Sequence, residues 1–255
     1  MLHASSPGDM EQKENIDILA WQRFRSAQEE AARFGFLQHK IAKLTAAKKF
    51  LHHFNMFEDR FKESKTILEL GGGSCWAAHL VKLHCPDATV IGSDVAQAAV
   101  SSRHIWEPVI GVAIDDAFAC TSYEIPMADA SVDLVFCFEA AHHFGRHGRT
   151  FRELARVVKK GGRVLYLDEP TCPKMFYKLI HMRNNQREDD VPEDILLVNQ
   201  LLALARDAGF DADVKYVPHT IERGEAATLY YAALRRLPWL APYVPCTADF
   251  IMTRR

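Results

Sequence analysis

The 255-residue chain has no Cys-x-x-Cys pair, no long apolar run, no large excess of either charge and no internal repeat. Each absence removes a class of protein. The six cysteines stand apart at 75, 85, 120, 137, 172 and 246, a scatter that suits neither a zinc ribbon nor a disulfide-stapled secreted domain. Reduced thiols packed as small hydrophobes are expected instead, with no metal site. No stretch approaches the ~18 apolar residues that a spanning helix needs. The first fifteen residues are polar, with Glu11, Lys13 and Glu14 and no apolar h-region, so no signal peptide is expected. A formal net charge of −2 supplies no general pull toward nucleic acid or an anionic membrane, though it leaves room for a local patch. A reducing, cytoplasmic setting is the expectation that follows.

What the chain does contain is an ordinary globular composition, 48% hydrophobic and 25% charged, sufficient for a substantial core. Its length suits one large α/β domain with accessory segments. From Ile16 to about Phe61, apolar residues recur near helical spacing (Ala20, Phe24, Ala27, then Ile41, Leu44, Ala47, Phe50, Phe54), with Gly35 as a break between two helices. This gives an N-terminal helical cap over 1–60 and a core over 61–255. In the core, short apolar runs alternate with helical stretches. Strands are expected at Thr66–Leu70, Thr89–Ser93, Val109–Ile114, Val132–Phe138 and Arg163–Leu167, and helices at Ala77–Leu83, Ala96–Arg103 and Thr150–Lys159. Strands alternating with helices imply a doubly wound, mostly parallel sheet closed by right-handed crossovers. A helix over Ile195–Ala208 and two strands, Val214–Val217 and Phe250–Thr253, finish the pattern. Two stretches lie outside it, 170–194 and 222–245; the second carries Leu229, Tyr230, Tyr231, Trp239 and Tyr243. They are expected to form a substrate lid that excludes water from the site.

The most informative stretch is Glu69-Leu70-Gly71-Gly72-Gly73-Ser74-Cys75-Trp76, where a strand runs into glycines and a helix begins at once. Glycines let the backbone turn sharply and approach a ligand where a Cβ would collide. The helix start offers free N–H groups. A nucleotide-like ligand is therefore expected at the C-terminal edge of the first strand. A dinucleotide fingerprint fails, because its last position must be small and is Trp76 here. A phosphate-cradling P-loop fails too, for want of Gly-Lys-Ser/Thr.

The Glu69-x-Gly71-x-Gly73 turn resembles the first motif of class I S-adenosylmethionine-dependent methyltransferases. The resemblance implies that Gly71, Gly72 and Gly73 lie against the methionine and ribose part of S-adenosylmethionine, with Glu69 organising the amino-acid end. This chain departs from the family at Cys75, where a third glycine is frequent. Asp94 ends the second strand about 20 residues past the glycines, the spacing at which a carboxylate reaches a ribose diol. Val95 follows it. Helix capping is the competing role for Asp94. Ile125-Pro126-Met127-Ala128-Asp129-Ala130-Ser131-Val132-Asp133-Leu134-Val135 resembles the family's loop and fourth strand. By counting, Thr121-Ser122 stands at the adenine position, with Asp115-Asp116 as the alternative, and Asp133 supports the glycine turn. Phe138-Glu139-Ala140-Ala141-His142-His143-Phe144 follows the fourth strand, where the family carries groups that face the transferred methyl. Glu139 is expected at the cofactor. His142 or His143 is a candidate general base, against a purely structural role for the pair. An Asn/Asp-Pro-Pro-aromatic motif, as in adenine-N6 methyltransferases, is absent there.

The fold implied is a Rossmann-like, seven-stranded α/β sheet. The activity implied is methyl transfer to oxygen or nitrogen of a small organic acceptor, a sugar or secondary metabolite. No nucleic-acid or membrane partner is expected, and a homodimer is the protein partner allowed for. The same fold with retained cofactor but other chemistry, or as a binding module, is the alternative. Asp168-Glu169-Pro170 ends the fifth strand on the substrate side, with functional and structural readings evenly matched. Arg183, Arg187, Glu188, Asp189 and Asp190 read as a solvated face. The histidines at 39, 52, 53, 104, 181 and 219 show no metal-ligand spacing.

Overall fold

The computed structural model describes residues 42–184 and 194–255. The helices expected over 16–41 and the 185–193 part of the first insertion lie outside the described residues. A helix (α1) occupies 42–56 and leads into α2 (Glu58–Lys62). Then follow β1 (Thr66–Leu70), α3 (Trp76–His84), β2 (Thr89–Asp94), α4 (Gln97–Ser101), α5 (Glu107–Ile110), β3 (Asp116–Ala119) and β4 (Val132–Phe138). The chain continues through α6 (His147–Val157), β5 (Val158–Thr171), α7 (Lys174–Asn184), α8 (Val198–Asp207), β6 (Phe210–Tyr216), α9 (Glu225–Arg236) and β7 (Cys246–Arg254). Short 3-10 turns lie at Arg103–Trp106, Ala141–His143 and Pro238–Tyr243.

The strands form one seven-stranded sheet in the order β3-β2-β1-β4-β5-β7-β6. All pairings are parallel except those of β7, which runs antiparallel to both β5 and β6. The chain order reverses between β1 and β4, the place where open α/β sheets hold ligands at their C-terminal strand ends.

Alternation along the central strands splits the core in two. Leu68, Val135, Cys137, Val164 and Tyr166 face α6 and α8, where Phe151, Leu154, Leu201 and Leu202 meet them. Ile67, Leu134, Phe136, Leu165 and Leu167 face α1 and α3, where Phe50, Phe54, Trp76 and Val81 pack. Both faces are covered, so β1 and β4 read as near-continuous apolar runs. On the edge, β6 alternates, with Phe210 buried and Asp211 and Asp213 exposed.

The sequence reading needs three corrections here. The third strand is not Val109–Ile114. Pro108 sits in the first turn of α5, Gly111 closes that helix at φ +87°, and the strand starts at Asp116. A short apolar run is ambiguous between helix and strand, and Pro with Gly decides for helix. The helix expected to reach Lys159 ends at Val157. The Lys159–Gly162 segment is a bulged part of β5 beside a register shift against β4. Asp133 does not support the glycine turn. It lies at the opposite end of the sheet, accepting the Thr66 N–H at 2.8 Å and pairing with Lys159 at 2.7 Å. No helix among the described residues is long and apolar enough to cross a membrane.

Candidate active site

The glycine turn is closed in around its own backbone. Gly71 and Gly73 adopt φ +78° and +59°, a region that costs other residues strain. A Cβ on Gly71 would meet the Ala140 Cβ at 2.8 Å, and one on Gly72 would meet the Glu69 carboxyl at 2.4 Å. The turn is therefore locked between the post-β4 loop and the acid beneath it. Gly72 N–H donates to Ser93 O at 2.8 Å, and Ser93 Oγ donates to Glu69 O at 2.7 Å, stitching β1 to β2.

Cys75 also has a positive φ, +58°, which explains why glycine is frequent at this place in the family it resembles. Its sulfur is accommodated by Gly92, whose missing Cβ would lie 2.4 Å from Cys75 Sγ. The departure at one position is matched by a glycine on the neighbouring strand.

Asp94 is buried and braces the turn: Oδ2 accepts Gly73 N–H at 2.7 Å and Oδ1 accepts Ala96 N–H at 2.8 Å. It caps no helix, since Ala96 is the residue before α4. A carboxylate has about four lone-pair sites, so two remain for a ligand. Val95 stands half-buried beside it. Glu69 accepts Ala78 N–H at 3.1 Å. Burial, helped by nearby Asp94 and opposed by the Ala78 N–H, pushes its pKa up to about 8.

Thr121 and Ser122 follow the C-terminal end of β3, tied to Asp94 through the Cys120 N–H on Asp94 O at 3.0 Å. Ser122 Oγ shares a hydrogen bond with Thr150 Oγ1 at 2.7 Å. Thr121 Oγ1 is buried with no partner among the described residues. The alternative pair does not reach this edge, because Asp115 accepts Val90 N–H and binds Lys82 near the start of β2, and Asp116 pairs with Ile91.

After β4, Glu139 takes φ +48° and its carboxylate pairs with Lys49 of α1. His142 is buried, with Nδ1 2.7 Å from Glu169 Oε2. Glu169 also accepts the N–H groups of Ala140, Ala141 and His142 at 2.8–3.1 Å. Burial would raise the Glu169 pKa, but His142 and these N–H donors hold it below the usual range. His143 is half-buried, its ring tilted 44° against that of His142 with centroids 3.9 Å apart.

Asp168, the neighbour of Glu169, anchors a second buried network. Its Oδ1 lies 2.9 Å from His219 Nε2 and 3.6 Å from His53 Nε2, and its Oδ2 lies 3.6 Å from Lys49. Asp249 accepts the Asp168 N–H at 2.9 Å and holds His53 Nδ1 at 2.8 Å. His53, Asp168 and His219 lie close enough to surround a cation. Arg223 Nη2, 3.2 Å from His219 Nε2, and Lys49 already bring positive charge to the spot. We therefore read the cluster as an ion-pair network joining α1 to the loop before α9. Despite its burial, His219, His53 and Lys49 hold the Asp168 carboxyl well below the usual range. Residues 53, 168, 219 and 249 share no spacing, so sequence patterns had no means of finding this set.

Comparison with known proteins fits this geometry. A family model described as a methyltransferase domain matches residues 68–166, the span from β1 to β5 that carries the glycine turn, Asp94 and the His142 loop. Over that span the chain carries a methyltransferase domain.

Among curated relatives, a demethylmenaquinone methyltransferase from Thermus thermophilus is 30% identical over 128 residues, covering 49% of this chain and 57% of that protein. The uncharacterized methyltransferase YcgJ of Bacillus subtilis is 32% identical over 133 residues, 51% of each chain. The match thus spans about half the length of these curated relatives. The crystal structure of YcgJ superposes with a TM-score of 0.55 at 19% identity, covering 75% of this chain and 92% of that one. The [4+2]-cyclase SpnF superposes equally well, with a TM-score of 0.54 at 19% identity over 84% of this chain and 80% of that one. At such identity the likeness speaks for the fold alone.

Proposed function

We propose that the chain transfers a methyl group from S-adenosylmethionine to an oxygen or nitrogen atom of a small organic acceptor. The observation that carries this reading is the glycine turn: two positions without room for a Cβ, braced by Asp94 and floored by Glu69. Such a cradle fits a cofactor that lies directly on the backbone. When bound, S-adenosylmethionine would supply an electrophilic sulfonium methyl group, with S-adenosylhomocysteine as the leaving group.

Gly71, Gly72 and Gly73 would lie against the ribose and methionine part, and Glu69 would face the amino-acid end. The two remaining lone-pair sites of Asp94 suit a ribose diol. Val95 and Thr121 would flank the adenine, Thr121 offering its unpartnered Oγ1. Ser122, whose Oγ is 2.7 Å from Thr150 Oγ1, would stand beside Thr121 at the adenine. On the acceptor side stand Glu139, His142 and His143. Glu169 holds the His142 ring through Nδ1, which supports His142 as the group that would take a proton as the acceptor reacts. Most of the rate would come from holding the two reactants aligned and close.

Because a fold does not fix its chemistry, the second reading is retained cofactor with other chemistry. Calorimetric titration with S-adenosylhomocysteine, after any co-purified cofactor is removed, tests the common part. Micromolar binding that Asp94→Ala abolishes is expected; absence of binding to folded protein overturns both readings. A screen with isotopically labelled methyl donor then separates them, since only methyl transfer labels an acceptor.

A further inference from the structure

The near-neutral chain has a local surface that its total charge conceals. Ten large hydrophobic side chains are exposed among the described residues, and all but Leu44 and Leu83 lie on two elements. On α7 they are Met175, Leu179 and Met182, with Met175 79% and Leu179 66% exposed. Spacings of four and three residues put them in one stripe of the helix. On α9 and the turn after it they are Leu229, Tyr230, Leu237, Trp239 and Tyr243, with Trp239 65% and Tyr243 68% exposed. The two elements flank a single groove of about 780 Å³, whose rim includes Pro173 and Lys174 on one side and Pro242 and Tyr243 on the other.

The exposed charge on α7 and at the C-terminal end of α9 is positive, the acid of α9, Glu225, standing at its opposite end. Lys174, Lys178 and Arg183 are exposed on α7, and Arg235 and Arg236 at the end of α9. There is no Asp or Glu in α7 or between Ala226 and Pro245. None of the five cations forms an ion pair with a described carboxylate. Asp194, which packs against α7, is turned toward Tyr177, whose hydroxyl donates to it at 2.8 Å.

Exposed apolar area of this kind marks either a protein partner or a lipid surface. The composition discriminates. Met, Trp, Tyr and Arg suit either surface, but lysine is depleted at protein–protein interfaces, and Lys174 and Lys178 beside the Met175–Leu179 stripe match helices that lie in the headgroup region, their stems apolar and their charges in water. Trp and Tyr also favour that boundary.

We propose that α7 and the α9 insertion together dock this protein on an anionic lipid surface, with the groove opening toward it. Docking does not depend on the chemistry of the catalytic centre, and none of the residues lies in the glycine turn or the His142 loop. A lipid-borne acceptor would reach the chain from this side.

The test is co-sedimentation of the full-length protein with vesicles of phosphatidylcholine alone and with added phosphatidylglycerol. Half-binding at a lipid concentration at least about tenfold lower for the anionic vesicles is expected, with the difference shrinking at high salt. Leu179→Glu combined with Trp239→Glu should weaken vesicle binding about tenfold or more, and Lys174→Glu with Lys178→Glu should remove the preference for anionic lipid. Both pairs sit on the surface, and unchanged affinity for S-adenosylhomocysteine or an unchanged melting temperature will show that the variants are folded. No association with either vesicle, or association that both pairs of substitutions leave unchanged, overturns the proposal. So does a concentration-dependent dimer, seen by light scattering and abolished by the same substitutions, since the face would then belong to a second copy.

Discussion

Glu69 is neutral in the cofactor-free protein near neutral pH, because burial raises its pKa from 4.5 to about 8. The unfolded chain ionises freely above 4.5, so each pH step from 4.5 toward 8 favours unfolding. The stability held below pH 4.5 is progressively lost over that window, by an amount on the order of a few kcal/mol. Glu69→Gln keeps an acceptor for the Ala78 N–H but has no charge to bury. Thermal melts without cofactor should therefore coincide with wild type near pH 4.5 and run higher in the variant by pH 8. If Glu69 faces the ammonium end of the cofactor, the same variant loses affinity for S-adenosylhomocysteine. Stability gained with affinity lost is the signature of a site strained for binding; melts that stay parallel from pH 4.5 to 8 would refute it. At the C-terminal end of β4, Glu169 holds the His142 ring through Nδ1, and the His143 ring lies tilted against it. Once an acceptor is in hand, His142→Ala should lower kcat by about 10²- to 10⁴-fold and His143→Ala much less. Full kcat in both variants excludes a base role for the pair.

Helix α1 and strand β7 meet through buried polar groups as well as aromatics. Phe50 and Phe54 are buried against α2, α3 and β4, while His53 and the Asp168 N–H share the Asp249 carboxylate. Removing that carboxylate strands both partners in the core. Asp249→Ala should cost about 3–5 kcal/mol in denaturant unfolding with little change in affinity for S-adenosylhomocysteine, since Asp249 makes no contact with the glycine turn. A cost below about 1 kcal/mol would mean that water or a neighbour takes over the acceptor role. These contacts mark the limit of what the chain's pattern discloses. Strands β1, β2 and β4 were legible because each is an apolar run bounded by turn residues, and the glycine turn because only glycine serves there. β3 was not, since a four-residue edge strand of Asp-Ala-Phe-Ala carries less signal than the apolar run before it. The Cys75–Gly92 pairing and the Asp168 network were hidden for another reason. They join residues from different elements, and no periodicity within one segment reports a contact between two.

At the scale of the whole molecule, the sheet and its flanking helices form a closed unit, and the α9 insertion is attached to it by a small cluster of its own. Leu234 and Ala241 pack with Cys246 of β7, against Tyr216 and Tyr231. This cluster meets the two that cover the sheet only through Tyr216, so its loss should leave both largely intact. Arg223 is the exception at the hinge: it bonds His219 O at 2.7 Å and Thr247 Oγ1 at 3.1 Å, and stacks on Tyr231 at 3.5 Å. An informative deletion must retain it. Replacing residues 225–243 with a short Gly-Ser linker keeps Arg223 and the Asp168 network while removing the proposed lid. Cofactor affinity should stay within a few-fold of wild type, because the glycine turn, Asp94 and Thr121 touch nothing in the segment. Turnover should collapse, because the acceptor would lose both its aromatic wall and its exclusion of water. Failure to fold would show instead that the insertion is part of the core, and undiminished turnover would place the acceptor entirely on the strand ends.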